Sequence, residues 1–86
     1  MGLDDIDSED VDWRPLEAIL PVEECARFMY MFWLDVDGQR LHHYKHIDTR
    51  RYLILNDRSD AYRYRADESF VPTSLKDAVR HALEQG

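Results

Sequence analysis

The sequence predicts a small α+β domain with N-terminal helical segments, a three- to four-stranded antiparallel meander, and a C-terminal amphipathic helix packed on one sheet face. Three observations lead to this prediction. Prolines interrupt helix-forming stretches near the N-terminus, Asp37-Gly38 separates two runs of β-favouring residues, and the C-terminal stretch has apolar residues at helical spacing. Because 86 residues suffice for only one hydrophobic core, we expect a single domain over residues 12–86.

The N-terminal part is predicted to be an acidic tail followed by two short helices. Residues 1–11 are rich in acids and lack aromatic residues, so we expect a mobile tail there. Asp12 is a candidate N-cap for a helix over about 14–20, in which Pro15 is tolerated early. Pro21 ends that helix and begins a second, which we expect to end near Phe28. Helical spacing alone would extend the second helix to residue 34, but the aromatic residues in this stretch favour a strand.

The central part is predicted to form a meander of strands. Asp37-Gly38 is a typical two-residue hairpin turn, and it places Asp35 opposite Arg40 as a pair of opposite charges. A two-residue turn is expected at Asp48-Thr49 and a four-residue turn at 57–60. The strands between these turns cover about 29–36, 39–47, 50–56 and 61–66.

The C-terminal residues predict a helix. Ser74 and Asp77 resemble a capping box, in which the serine side chain accepts a hydrogen bond from the backbone three residues later. The residues that follow form one apolar stripe at helical spacing: Leu75, Ala78, Val79, Ala82 and Leu83.

The predicted turns sort the strand residues onto two faces, because side chains alternate along a strand. One face centres on Trp33, Leu53 and Leu55 and resembles a core covered by a helix. The two tyrosines of the fourth strand, Tyr62 and Tyr64, are expected on that face as well. The other face mixes cations with aromatic rings and is our candidate binding face: Tyr30, Phe32, His43, Lys45, Tyr52, Arg63 and Arg65. A slip of one residue at any turn would exchange the two faces.

The charges are distributed unevenly along the chain. The net charge is −7, yet seven of the eleven lysines and arginines lie within residues 38–66. This asymmetry is typical of a protein with a polyanionic partner, or of one whose acidic arm lies against a basic sheet. We expect a cytoplasmic protein with no membrane contact. The N-terminus lacks a signal-peptide pattern, no stretch approaches the roughly 20 apolar residues of a membrane helix, and Cys25 alone can form no internal disulfide.

The histidines do not predict a metal site. His42 and His46 would share a metal ion on a helix, but on a strand they lie about 13 Å apart, and His43 points to the opposite face. We therefore expect no metal ion and no other cofactor. Catalysis is not expected either, because the sequence contains no phosphate-binding loop and no nucleophile elbow. Cys25 lies on the apolar face of a predicted helix, which is typical of a small core residue.

Two classes of non-enzymatic function remain. We expect a protein-interaction or regulatory domain that binds a protein partner, either a second copy of the chain or another protein, through the candidate face. A homodimer would add buried area that so short a chain lacks. The alternative is binding of single-stranded nucleic acid, RNA or DNA, with cations along the phosphates and rings stacked on bases. The isoelectric point near 4.9 argues against this alternative.

Overall fold

The computed structural model describes residues 11–84, which form three helices and one antiparallel sheet. The predicted acidic tail lies, apart from Val11, outside these residues. The sheet order is β1-β2-β3-β4-β5, so each strand pairs with the next in the chain. The elements are α1 (Arg14–Glu17), α2 (Val22–Cys25), β1 (Phe28–Val36), β2 (Gln39–His46), β3 (Tyr52–Leu55), β4 (Ala61–Tyr64), β5 (Phe70–Pro72) and α3 (Leu75–Leu83).

The structure confirms an α+β fold with an antiparallel meander and a C-terminal helix packed on the sheet. The predicted number of strands was too small, because β5 pairs with β4 through Tyr64 with Phe70 and Tyr62 with Pro72. This strand has only three residues and ends in a proline, which cannot donate to a ladder. Since β5 is an edge strand, the proline costs no hydrogen bond within the sheet.

The first two turns give the predicted register. Val36 pairs with Gln39, and both turn residues have positive φ angles, 52° at Asp37 and 82° at Gly38, as a type I′ hairpin turn requires. On the next hairpin, Lys45 pairs with Tyr52, which is the pairing expected from a turn centred on Asp48-Thr49.

The register departs from the prediction at two positions. In β1 a bulge shifts the pairing, so that Tyr30 pairs with Tyr44 and Phe32 with His43. Tyr30 and Phe32 therefore lie on opposite faces, because Met31 is an extra residue in the strand. The turn after β3 is the second departure, since Asn56 already pairs with Asp60.

The turn after β3 is shorter than expected because the side chain of Asn56 builds it. Its Oδ1 atom accepts hydrogen bonds from the backbone N–H groups of Arg58 and Asp60, both at 2.9 Å. Ser59 takes the left-handed conformation, with φ 67°, which is typical of a three-residue hairpin loop. As a result Ile54 pairs with Tyr62, and every side chain of β4 lies on the face opposite to the predicted one.

The three helices and the N-terminal segment pack on one side of the sheet, which we call the covered face. The core between them consists of Leu16, Cys25, Phe28, Tyr44, Leu53, Leu55, Ala61 and Ala82. Hydrogen bonds anchor the covering segments at both ends of the sheet. The Ser59 hydroxyl donates to the backbone oxygen of Pro15 at 2.7 Å, and the Thr49 hydroxyl donates to that of Ala82 at 2.6 Å.

Helices α1 and α2 are shorter than predicted, and two residues separate the end of α2 at Cys25 from the start of β1 at Phe28. The stretch 29–34 is a strand, which settles the choice left open by its helical spacing. The capping of α3 agrees with the prediction, since the Ser74 hydroxyl oxygen accepts a hydrogen bond from the Asp77 N–H at 3.0 Å. Within residues 11–84, no helix has the length and apolar character needed to cross a lipid bilayer.

Candidate binding face

The face opposite the helices, which we call the open face, carries a connected group of aromatic rings. Phe32 of β1 stacks on His43 of β2, with ring centroids 4.4 Å apart. The Tyr52 ring lies 6.1 Å from His43, and the Phe70 ring lies 5.6 Å from it on another side. Tyr64 continues the group, at 5.0 Å from Phe70. The rings thus connect β1 to β5 across the whole sheet.

The contact between His43 and Phe70 shows that the sheet is curled. Three strand spacings separate β2 from β5, which would be roughly 14 Å in a flat sheet. The ring distance of 5.6 Å is far smaller, so the open face is concave. Its floor is buried by this curvature, since Leu41, His43 and Ile54 are 5% exposed or less although none of the helices within residues 11–84 lies over them.

The rim of the open face is exposed and apolar. Five of its side chains are between 38% and 56% exposed: Met29, Phe32, Leu34, Tyr52 and Tyr64. Three of them belong to β1, which is an edge strand of nine residues. An edge strand has a row of backbone N–H and C=O groups that point away from its own sheet. The apolar rim and this backbone edge are therefore adjacent.

The structure brings together four of the seven residues of the predicted binding face. Phe32, His43, Lys45 and Tyr52 lie on the open face as expected. Tyr30 lies on the covered face, because the bulge at Met31 reverses the alternation. Sequence reasoning did not place Tyr64 and Phe70 on this face, because the short turn and the three-residue strand that position them have weak sequence patterns.

Arg63 and Arg65 do not lie within the ring group of the open face. Arg63 alternates with Tyr62 and Tyr64 along β4, so its side chain leaves the strand on the opposite side from theirs. It lines a groove of about 610 Å³ whose other lining residues include Tyr52 of the sheet and His81 of α3. Arg65 follows the end of β4, in the turn toward β5. Arg63 therefore shares a groove with Tyr52, beside α3, and this groove does not include Phe32.

The polar groups of the open face are few. Lys45 lies there with its Nζ atom 5.8 Å from the centroid of the Tyr52 ring, a cation–π distance. Burial lowers the pKa of His43, and its Nδ1 atom lies 3.1 Å from the backbone oxygen of Leu41. Because desolvation favours the neutral imidazole, the ring of His43 acts as part of the aromatic floor at neutral pH.

The other two histidines of β2 have polar partners on the covered face. His46 accepts hydrogen bonds at Nδ1 from the backbone N–H groups of Asp48 and Thr49, and so it stabilises the turn after β2. His42 is fully buried, with Nδ1 at 2.7 Å from the Tyr30 hydroxyl and Nε2 at 2.6 Å from Asp57. The two histidines therefore contact different groups, as the distance along a strand predicts.

Cys25 is a buried core residue, which agrees with its place in the sequence. Its Sγ atom lies 3.6 Å from the backbone oxygen of Leu20. Burial, together with the charges of Glu17 and Glu24, raises the pKa of the thiol. A thiol with a raised pKa is a poor nucleophile, because the thiolate is the reactive form.

The fold and this face define a class of protein: a small α+β domain with a curled antiparallel sheet, one face covered by helices and the other open and aromatic. No family model matches the chain, and neither does any curated protein sequence or solved structure.

Proposed function

We propose that this chain is a non-enzymatic binding module whose open face receives a protein partner, and that the first such partner is a second copy of the chain. The observation that carries the proposal is the continuous exposed apolar rim along β1 and across the concave face. Monomeric proteins seldom expose contiguous apolar patches of this kind unless the patch binds something.

The edge strand supports a second copy as the partner. Identical edge strands can pair antiparallel across a two-fold axis, so that each copy satisfies the exposed backbone groups of the other. Strand β1 is long enough for such a ladder, and its only charged residue is Asp35. The other edge, β5, has three residues and a proline, so it is a poor template for pairing.

The charge of the chain gives the proposal a distinctive salt dependence. Two chains with a net charge of −7 repel one another, whereas the open face itself carries Lys45 among apolar residues. Added salt screens the repulsion and leaves the apolar contact intact. A dimer formed through this face is therefore expected to become tighter, or to stay unchanged, as the ionic strength rises.

Sedimentation equilibrium of the purified chain, over a wide range of protein concentration, tests this proposal. We expect a reversible monomer–dimer equilibrium for the wild type and a monomer for Phe32→Asp, because the variant places a charge in the centre of the contact. Circular dichroism of the variant should match that of the wild type, since the Phe32 side chain is 43% exposed.

Val22→Asp is the matched control. Among the residues that the structure describes, Val22 is the most exposed large hydrophobic side chain, at 75%, and it lies on α2, away from the open face. The same chemical change there should leave the dimer intact. A wild-type chain that stays monomeric at every concentration would refute self-association. Equal effects of Phe32→Asp and Val22→Asp would show that the dimer contact does not lie on the open face.

One arrangement favours the alternative of single-stranded nucleic acid. The exposed rings of Phe32 and Tyr52 lie near Lys45, as in a surface that stacks bases beside a phosphate. An oligonucleotide bound there should dissociate as salt rises, which is opposite to the dimer. Lys45→Ala should weaken this binding, and Arg40→Ala should not, because the Arg40 guanidinium lies over the Trp33 ring on the covered side of the sheet. Binding of that kind by a monomeric chain would replace the protein-partner proposal.

A further inference from the structure

Three potential metal ligands from separate segments meet at the end of the covered face. Asp12 precedes α1, His42 lies in β2, and Asp57 lies in the turn after β3. One ligand atom from each of these side chains lies within 4.8 Å of the others. We propose that Asp12, His42 and Asp57 bind one zinc ion, with water at the fourth position. This site is separate from the open face and does not depend on the proposed function.

The surroundings of His42 suit a metal ligand. A ligating histidine commonly donates its second ring N–H to a fixed acceptor, which sets the tautomer and the orientation of the ring. Tyr30 supplies such an acceptor, because its hydroxyl oxygen lies 2.7 Å from Nδ1. The hydroxyl can donate to Nδ1 when Nε2 is protonated, and it can accept from Nδ1 when Nε2 binds the metal. The ring need not rotate between the two states.

Asp57 is placed to move from a hydrogen bond to a metal bond. Its Oδ1 atom lies 2.6 Å from Nε2 of His42, and its side chain is 63% exposed, so it has room to adjust. An ion that enters between the two groups would replace the proton they share. Zinc takes both imidazole nitrogen and carboxylate oxygen, and its nitrogen and oxygen ligands lie at about 2.0–2.2 Å.

Asp12 retains one position for a metal. Its carboxylate has about four lone-pair positions. Arg14 uses three of them, through its backbone N–H and its Nε at Oδ1 and through its Nη2 at Oδ2. The remaining position is on Oδ2, which accepts only the Nη2 hydrogen bond. Two carboxylates then balance the charge of the ion.

The donor set favours zinc over magnesium or calcium. Those two ions prefer sites made entirely of oxygen, whereas an imidazole with carboxylates suits zinc and its neighbours among the transition metals. Bound zinc would join the N-terminal segment, the sheet and the turn after β3. Zinc should therefore raise the melting temperature of the chain, because the ion binds the folded arrangement of all three segments.

Isothermal titration of the full chain with zinc chloride, repeated with cobalt(II) for its absorption spectrum, tests the proposal. We expect one ion per chain and a higher melting temperature with zinc. Asp57→Asn should weaken binding by more than about tenfold. Asp67→Asn is the matched control, since Asp67 is an exposed aspartate in a different hairpin turn and should leave the affinity unchanged.

Tyr30→Phe tests the positioning role of the hydroxyl. The variant keeps the ring, which packs against Trp13 and Tyr44, and it should weaken zinc binding about tenfold while leaving the cobalt spectrum tetrahedral. Equal zinc affinity in wild type and Asp57→Asn would place the ion elsewhere and overturn the proposal. So would the lack of a saturable site in the wild type.

Discussion

The covered face and the open face of this sheet both contain tyrosine and histidine side chains, but the two faces differ in how far other segments cover them. Tyr30, His42 and Tyr44 lie on the covered face, where the N-terminal segment and its neighbours supply polar partners. Within residues 11–84, no buried side-chain nitrogen or oxygen lacks a hydrogen-bond partner. Phe32 and Tyr52 lie on the open face with exposed rings. Residue composition therefore does not distinguish a core from a binding face, and the difference lies in which face other segments cover.

The test with the largest expected effect compares two leucines on the two strands that flank β2. Leu55 is fully buried on the covered face, and Leu34 is 42% exposed on the open face. Leu55→Ala should reduce the free energy of unfolding by about 2–5 kcal/mol, because it removes apolar contacts and leaves a cavity. Leu34→Ala should cost less than about 1 kcal/mol in the monomer. Urea denaturation of both variants at low protein concentration measures the two values.

The two leucine variants, Leu34→Ala and Leu55→Ala, also test the proposed function. If a second copy covers the open face, the cost of Leu34→Ala should rise with protein concentration, since dissociation then becomes part of unfolding. The cost of Leu55→Ala should not depend on concentration in this way. Equal costs for the two variants at low concentration would show that the faces do not differ as described.

A second test, with a smaller expected effect, removes one tyrosine hydroxyl from each face. The buried Tyr44 hydroxyl donates to the backbone oxygen of Asp12 at 2.7 Å, and burial raises its pKa well above the ordinary value, so it remains a donor. Tyr44→Phe should cost about 1–2 kcal/mol, because the variant loses the bond and leaves the Asp12 oxygen without this donor. Tyr64→Phe, on the open face, should change stability by less than about 0.5 kcal/mol.

Thermal unfolding followed by circular dichroism measures both tyrosine variants. A neutral effect of Tyr44→Phe would mean that the N-terminal segment does not rest on the sheet through this bond. A large effect of Tyr64→Phe in the monomer would mean that its hydroxyl, on an exposed side chain, has a partner within the chain.

The order of the elements follows from short-range patterns, and for that reason it could be predicted. Asp37-Gly38 forms its turn because both residues tolerate positive φ angles, and Ser74 caps α3 through a neighbour three residues away. The bulge at Met31 could not be predicted in this way. Residues 28–34 form a continuous run of apolar and aromatic residues, so the sequence does not show where alternation is interrupted. The extra residue is apparent only in the structure, where Tyr30 packs toward Trp13 and Tyr44 on the covered face.

The candidate binding face was predicted in part, because part of it also depends on short-range turn patterns. Phe32, His43, Lys45 and Tyr52 follow from two correctly predicted hairpins. Arg63 was misplaced because Asn56 shortens a turn with its side chain, an effect that depends on local geometry. The cluster of Asp12, His42 and Asp57 was also missed. Strand spacing predicts that His42 and His46 lie far apart, but it does not predict which residues of other segments lie beside His42.

The smallest predicted effect concerns the one histidine in the floor of the open face. Burial lowers the pKa of His43 in the folded chain below its ordinary value near 6.5. Above that value the imidazole is neutral in both the folded and the unfolded state. As pH falls below it, the unfolded chain takes up a proton that the folded chain does not, so stability decreases until the pH reaches the folded pKa.

His43→Phe tests this effect with the ring retained, so that stacking on Phe32 remains. The variant should lose less stability than the wild type between pH 7 and about pH 5, because it lacks the proton that His43 binds on unfolding. Chemical denaturation across this range measures the difference, and the remaining histidines cancel because both chains contain them. Parallel profiles would mean that His43 titrates alike in both states, as a solvated ring does. The floor of the open face would then be more hydrated than the 5% exposure of His43 indicates, and it would not resemble the core under the covered face.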